Sequence, residues 1–277
     1  CDTAETAPNC SKTSITVSGV GVFTVSNTGV MTFVPELNYV GTPTGIRYVV
    51  EDQFHLTASA VYTPTVIAPP VAVDDTPAPG AQGVAQTIAV IANDTASTST
   101  SSPLVGSSVK LCAANETAPN CTATTLTTAD GTYSVNSSGV VTFTPNPSFT
   151  GIATEPVTYQ VADAQGQVVD AVITPSVVQA PIAQDDTSSG AFNANQTKAV
   201  LANDSAFTGT ALTAASVKLC GPSQVAPNCT ETTVTAANGV YTLGSDGVIT
   251  FDPSENFAGL AAPVTYQITD SMGQTDT

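Results

Sequence analysis

Tryptophan is absent from this 277-residue chain, and all aromatic residues together make up only 6% of it. Basic residues are scarce too. Five Lys and Arg face 22 Asp and Glu, for a formal net charge of -17. Such a surface repels phosphate backbones and anionic lipid, which argues against nucleic-acid binding and against membrane insertion. Histidine occurs once, at His55, so a repeated catalytic base has no material to draw on. The many serines have no recurrent base beside them, and no Gly-rich phosphate loop or metal-hydrolase motif is found. No enzyme is expected. No run of 18 apolar residues exists to span a bilayer as a helix. No window sustains a 3.6-residue apolar period, so almost no helix is expected.

What the chain has is repetition. A C-x8-C pair recurs at Cys1/Cys10, Cys112/Cys121 and Cys220/Cys229, spaced by 111 and then 108 residues. The surrounding text recurs as well, each string in two or three related copies: SVKLC, APNC, a G-x-Y/F core, TFTP and VTYQV-x-D. Repetition of one domain usually serves reach rather than chemistry. Three units follow: 1–67, a partial repeat comprising its C-terminal part; 68–178, complete; and 179–277, lacking its last strand. The chain thus reads as a window cut from a longer array. The alternative is that neighbouring chains complete the end domains by strand donation. The boundaries are the Pro-bearing stretches 67–76 and 178–187, short and stiffened towards polyproline geometry.

Val, Thr, Gly and Pro favour pleated strands and turns. In the complete unit, strands are expected at Gln86–Ala92, Ser108–Cys112, Thr122–Thr128, Gly131–Asn136, Gly139–Pro145, Pro156–Asp163 and Gln167–Val178. Seven short antiparallel strands at turn-marked intervals form the pattern of a β-sandwich. Alternation assigns Tyr133, Val135, Val141, Phe143, Val157, Tyr159 and Val161 to its core. Their counterparts are Phe23, Val25, Met31, Phe33, Ile46, Tyr48 and Val50 in the first unit. In the third they are Tyr241, Leu243, Ile249, Phe251, Val264, Tyr266 and Ile268.

The string GTYSVNSSGVVTFTPNPSFTGIATEPVTYQVADAQGQ (131–167) resembles the CshA-type fibril repeat of bacterial surface adhesins. So do the A-x-DDT motifs at 72–76 and 183–187 and the A-ND motifs at 92–94 and 202–204. The F-x-G motif fits too, at Phe149 to Gly151, Phe257 to Gly259 and, as Tyr39 to Gly41, in the first copy. The resemblance covers essentially the whole chain. It implies an all-β array of tandem seven-stranded Ig-like/cadherin-like sandwiches arranged end to end. It also implies an extracellular place on the bacterial cell surface, in a fibril stalk that projects a separate adhesive tip.

Six cysteines at constant spacing within copies, with no histidine near, read as three disulfides: Cys1–Cys10, Cys112–Cys121 and Cys220–Cys229. Closing such a segment stabilises by roughly 2.7 kcal/mol in the chain-entropy model. Alternation puts Cys112 on the face of Lys110, so the bridge should staple a surface loop. The acidic motifs Asp74, Asp75, Asn93, Asp94 and Asp185, Asp186, Asn203, Asp204 have two readings. One is turn capping through side-chain oxygens. The other is calcium near the junctions, although about four such residues per unit fall short of the six to eight ligands calcium prefers. No cofactor is otherwise expected. Asp52, Asp163 and Asp270 read as turn formers, and His55 as an exposed loop residue. Lys110 and Lys218 face away from the core, which disfavours an isopeptide bond there. Asn9, Asn120 and Asn228 head N-x-S/T triplets that admit glycosylation. Expected partners are adjacent repeats and neighbouring copies of the fibril. The rival functions are repeats that themselves bind host or neighbour-cell ligands, and subunits of a filament assembled by strand complementation.

Overall fold

The computed structural model describes residues 1–2, 4–97 and 102–277. It is all-β. The first unit contributes β1 (Ser14–Val17), β2 (Gly21–Val25), β3 (Met31–Pro35), β4 (Ile46–Glu51) and β5 (Thr57–Tyr62). The second contributes β6 (Gly80–Ala81), β7 (Gln86–Ile88), β8 (Leu104–Leu111), β9 (Thr125–Thr127) and β10 (Gly131–Val135). It continues with β11 (Val141–Pro145), β12 (Gly151–Ile152), β13 (Val157–Asp163), β14 (Val168–Ile173) and β15 (Ser176–Val178). The third holds β16 (Gln196–Ala199), β17 (Lys218–Leu219), β18 (Thr233–Ala236) and β19 (Gly239–Leu243). It ends with β20 (Val248–Pro253), β21 (Tyr266–Thr269) and β22 (Thr275–Asp276). Helical backbone among the described residues is limited to short 3-10 turns at Val200–Ala202 and Ala214–Ser216. Among the described residues, no helix is long and apolar enough to cross a membrane.

The complete unit is a sandwich. One sheet runs β7-β11-β10-β9, and the other runs β14-β13-β8. The alternation read from the sequence sets the registers. Tyr133 lies opposite Phe143, and Tyr159 lies opposite Ala171 on one side and Leu111 on the other. These inward residues meet in one cluster with Ile88, Val90, Val109, Val141, Val157 and Ile173. Each such side chain stabilises by about 1.5–3 kcal/mol on burial. The third unit repeats the plan with β16-β20-β19-β18 facing β17-β21-β22.

Gly131 explains the invariant glycine of the G-x-Y/F motif. A Cβ there would collide with the Thr144 carbonyl and the Phe143 ring across the hairpin. Gly21 and Gly239 stand in the same relation to Val34 and Asp252. Only glycine permits this close approach of backbone to ring.

Three expectations need adjustment. The expected strand Gln167–Val178 is two strands, because Pro175 has no N–H to continue the ladder; β15 then pairs in parallel with β6. The first predicted strand leaves its ladder at Ile88, and a turn follows in which Ala92 N–H donates to Ala89 O. Val50 was assigned to the core but is 55% exposed. Its counterpart Val161 is buried in β13 between β14 and β8, whereas β4 pairs with β5 alone among the described residues.

Candidate functional site

Each repeat ends its last hairpin in a turn built on one aspartate. Asp163 Oδ1 accepts the N–H groups of Gln165 and Gln167, at 3.0 and 2.8 Å. Asp270 does the same for Met272 and Gln274, both at 2.9 Å, and Asp52 for Phe54 and Leu56. In the second and third repeats the residue closing the turn is a glutamine that reaches the preceding junction. Gln167 Nε2 donates to Ala68 O, and Gln274 Nε2 to Gln179 O, each at 3.4 Å.

At the second junction the preceding repeat reaches back. Gln82 follows β6, the strand paired with β15 just before the linker. Its backbone N–H donates to Gln274 Oε1 at 2.7 Å, and its own Oε1 accepts the Ala180 N–H at 3.0 Å. Its Nε2 donates to Pro147 O at 3.0 Å, which fixes the side chain to its own repeat. The linker is therefore clasped between a glutamine of one repeat and a glutamine of the next. Sequence reasoning credited the junction to proline and missed these residues. The available signal was the glutamine recurring after the D-x-x-G turn at 167 and 274.

The acidic motifs converge on a core tyrosine. The Tyr159 hydroxyl lies 2.8 Å from Val90 O and 2.9 and 3.1 Å from the Asp94 carboxylate oxygens. Asp94 Oδ1 accepts the Val73 N–H at 2.8 Å, and Asn93 Nδ2 donates to Val73 O and Asp74 O. Asp74 Oδ1 in turn accepts the Val172 N–H at 2.9 Å. Asp75 is only 8% exposed, and burial pushes its carboxyl up to about 6, against hydrogen bonding from Tyr159 and with the nearby Asp94 charge adding to the rise. Burial also raises Asp94 and, in the third repeat, Asp204.

The third repeat copies the arrangement. Tyr266 Oη lies 2.9 Å from Gln184 O and 3.1 Å from Asp186 Oδ2 and Asp204 Oδ1. Asn203 Nδ2 donates to Gln184 O and to Asp185 O. Asp204 Oδ1 accepts the Gln184 N–H at 2.8 Å. These motifs thus lash the segment after each junction to the sandwich. Among the described residues, no group of three or more His, Cys, Asp or Glu is placed to hold a metal ion.

The cysteines pair as Cys1–Cys10, Cys112–Cys121 and Cys220–Cys229, with Cα separations of 4.4, 4.5 and 4.4 Å. Each loop also carries a cis peptide bond, at Ala7-Pro8, Ala118-Pro119 and Ala226-Pro227. The loops are more than surface staples. Cys121, Cys220 and Cys229 are buried, because glutamines on the central strands hold the loops against the sandwich. Gln160 Oε1 accepts the Cys121 N–H at 2.9 Å, and Gln267 Oε1 the Cys229 N–H at 3.3 Å. A second brace lies inside each loop. Glu116 accepts the Ala113 N–H and the Thr122 hydroxyl, Glu5 accepts the Ser11 hydroxyl, and Gln224 Oε1 accepts the Gly221 and Thr230 N–H groups. The Thr122 bond holds the Glu116 carboxyl below its usual range.

Lys110 and Lys218 are half-buried and stand in register with Gln160 and Gln267. Asn9, Asn120 and Asn228 are exposed in the loops. His55 is exposed, in a left-handed turn position at φ 62°, beside Glu51. Its counterparts Gly166 and Gly273 have φ of 80° and 82°.

A family model described as the surface adhesin CshA repetitive domain matches residues 4–66, 68–177 and 178–277. The chain belongs to the CshA surface-adhesin repeat family. CshA repeats are adhesin modules, and the family implies an extracellular location. No curated protein matches the chain in sequence. Similar solved structures include the N-terminal eight Ig domains of Down Syndrome Cell Adhesion Molecule, at 10% identity and TM-score 0.32, covering 90% of this chain and 32% of that one. Another is the human Desmocollin-1 ectodomain, at 11% identity and TM-score 0.31, covering 93% and 48%. A third is an endo-fucoidan hydrolase of glycoside hydrolase family 107, at 13% identity and TM-score 0.24, covering 95% and 37%. The chain spans about a third of the first of these structures.

Proposed function

We propose that this CshA repeat array is a stalk segment of a bacterial cell-surface fibril, holding an adhesive module away from the cell. The observation that carries this reading is the clasped junction: Gln82, Gln274 and the Gln179–Ala180 backbone bind one repeat to the next. A flexible tether has no use for hydrogen bonds across its linker, whereas a spacer that must stand upright does. Each such bond contributes about 0.5–1.5 kcal/mol net. The charge of -17 keeps neighbouring stalks apart and soluble.

The stalk needs no calcium on this reading. Asp74, Asp94 and Asp204 already accept backbone N–H groups, and Asn93 and Asn203 donate into the same segments. Exposed Phe54 and Phe192 lie in different repeats, so they form no shared aromatic platform for a glycan. Two experiments, one on the whole surface protein and one on the repeat array, test the reading. Shortening the array should shorten the fibril without changing the affinity of its tip for ligand. Tight binding of host protein or glycan by the isolated array would instead favour a repeat that is itself the adhesive module.

A further inference from the structure

The same register position is filled differently in the cores of the second and third repeats. Ile88 of β7 lies opposite Val141 and is buried. Lys198 of β16 lies opposite Ile249, the matching residue, and so presents an amine where the second repeat presents an alkyl chain. Lys198 Nζ stands 3.2 Å from Asp186 Oδ1, with the Asp186 side chain only 8% exposed and that of Lys198 40% exposed. The nitrogen is at ion-pair distance but off the direction of a hydrogen bond, and Oδ1 accepts none from the described residues. The other carboxylate oxygen, Oδ2, lies 3.1 Å from the Tyr266 hydroxyl, which also touches Asp204.

We propose that Lys198 and Asp186 condense to an intramolecular isopeptide bond. Lys198 Nζ attacks Asp186 Cγ; the Nζ–Cγ bond forms and the Cγ–Oδ1 bond breaks. Of the three ammonium protons, one stays on the amide nitrogen and two leave with Oδ1 as water. No oxidant or co-reactant is needed. The Tyr266 hydroxyl supports the charge that builds on Oδ2, the oxygen that remains as the amide carbonyl. Fixing amine and carboxyl in contact raises their effective concentration far above that of free partners. Condensation also removes the charge of a carboxylate whose side chain is buried. The second repeat cannot follow, because Ile88 stands where the third repeat has Lys198. Asp186 lies just past the junction and β16 is an edge strand, so the bond would anchor the segment through which tension enters the third repeat.

Intact mass spectrometry of the oxidised full chain tests this. The mass should fall about 18 Da below that of the three-disulfide sequence, the weight of one water. The deficit should survive denaturation, and digestion should give a branched peptide joining Lys198 to Asp186. Lys198→Arg, which keeps the charge but cannot form the amide, should restore the full mass. A wild-type chain at full mass overturns the proposal. So does a deficit that persists in Lys198→Arg, which would place the dehydration elsewhere.

Discussion

Three of the core tyrosines are separated by what their hydroxyls do. Tyr159 Oη bonds Val90 O and Asp94, so it joins the core to the strap behind it. Tyr241 donates to Ala262 O at 2.8 Å. Tyr133 is fully buried, and its hydroxyl has no partner among the described residues. Tyr159→Phe should therefore destabilise the second repeat by about 1–3 kcal/mol in chemical unfolding, since Asp94 and Val90 O lose a partner. Tyr133→Phe should leave stability unchanged or raise it, because it deletes a desolvated hydroxyl. Equal losses from both variants would contradict this division. The sequence located all three residues through strand alternation. It could not separate them, because the difference depends on which carbonyl or carboxylate lies at each ring's tip.

Asp75 gives the second repeat one component of its pH dependence. Its carboxyl is raised from 3.8 to about 6, so the folded repeat holds a proton more tightly than the unfolded chain. Stability is then greatest below the ordinary value, falls as pH climbs towards 6, and stays at the lower level above it. Asp75→Asn should stabilise the second repeat by about 1–2 kcal/mol at pH 7.5, with little effect at pH 4. Hydrogen exchange of β13 amides at the two pH values reads this directly. A loss of stability at pH 7.5 would mean that the ionised carboxylate is a needed partner.

Among the elements, β13 and its copy β21 do the most joining. β13 pairs with β14 and β8, sends Tyr159 into the core, and turns Gln160 to the disulfide loop. Gln160→Leu should leave the sandwich folded yet expose the loop. Exchange at the Cys121 amide should quicken by about tenfold, the equivalent of roughly one hydrogen bond, while β13 stays protected. Uniform loss of protection across the repeat would mean that Gln160 serves the core rather than the loop. Cysteine spacing gave the pairing of the loop. Its anchoring was hidden because Gln160 lies between Tyr159 and Val161, where alternation assigns it to the outer face, and there a buried glutamine looks like a solvated one. The exposure of Val50 was hidden for a related reason: it depends on which strand lies alongside, and periodicity within one strand does not report that. The Pro175 break, by contrast, was legible as a proline inside the run.

Across the whole molecule, the repeat count, the all-β class and the sandwich core could be read from period and alternation alone. The junction was legible only in outline. Proline indicated stiffness, but the clasp combines Gln82 with Gln274, residues 192 positions apart. No local pattern connects them. Gln82→Ala removes the bond to Ala180 and should loosen the junction without unfolding either repeat. Exchange should rise at Ala180 and remain unchanged in β13 and β21.

The central claim is that the repeats form a stiff spacer, and small-angle scattering tests it most directly. The full chain and its Gln82→Ala variant would be measured in calcium and in EDTA. The account predicts rod-like scattering from the wild-type chain in both buffers, with a broader distribution of dimensions for the variant. A compact or freely jointed wild-type particle would contradict the stalk. A rod seen only in calcium would instead make the Asp74, Asp75, Asp185 and Asp186 motifs cation hinges.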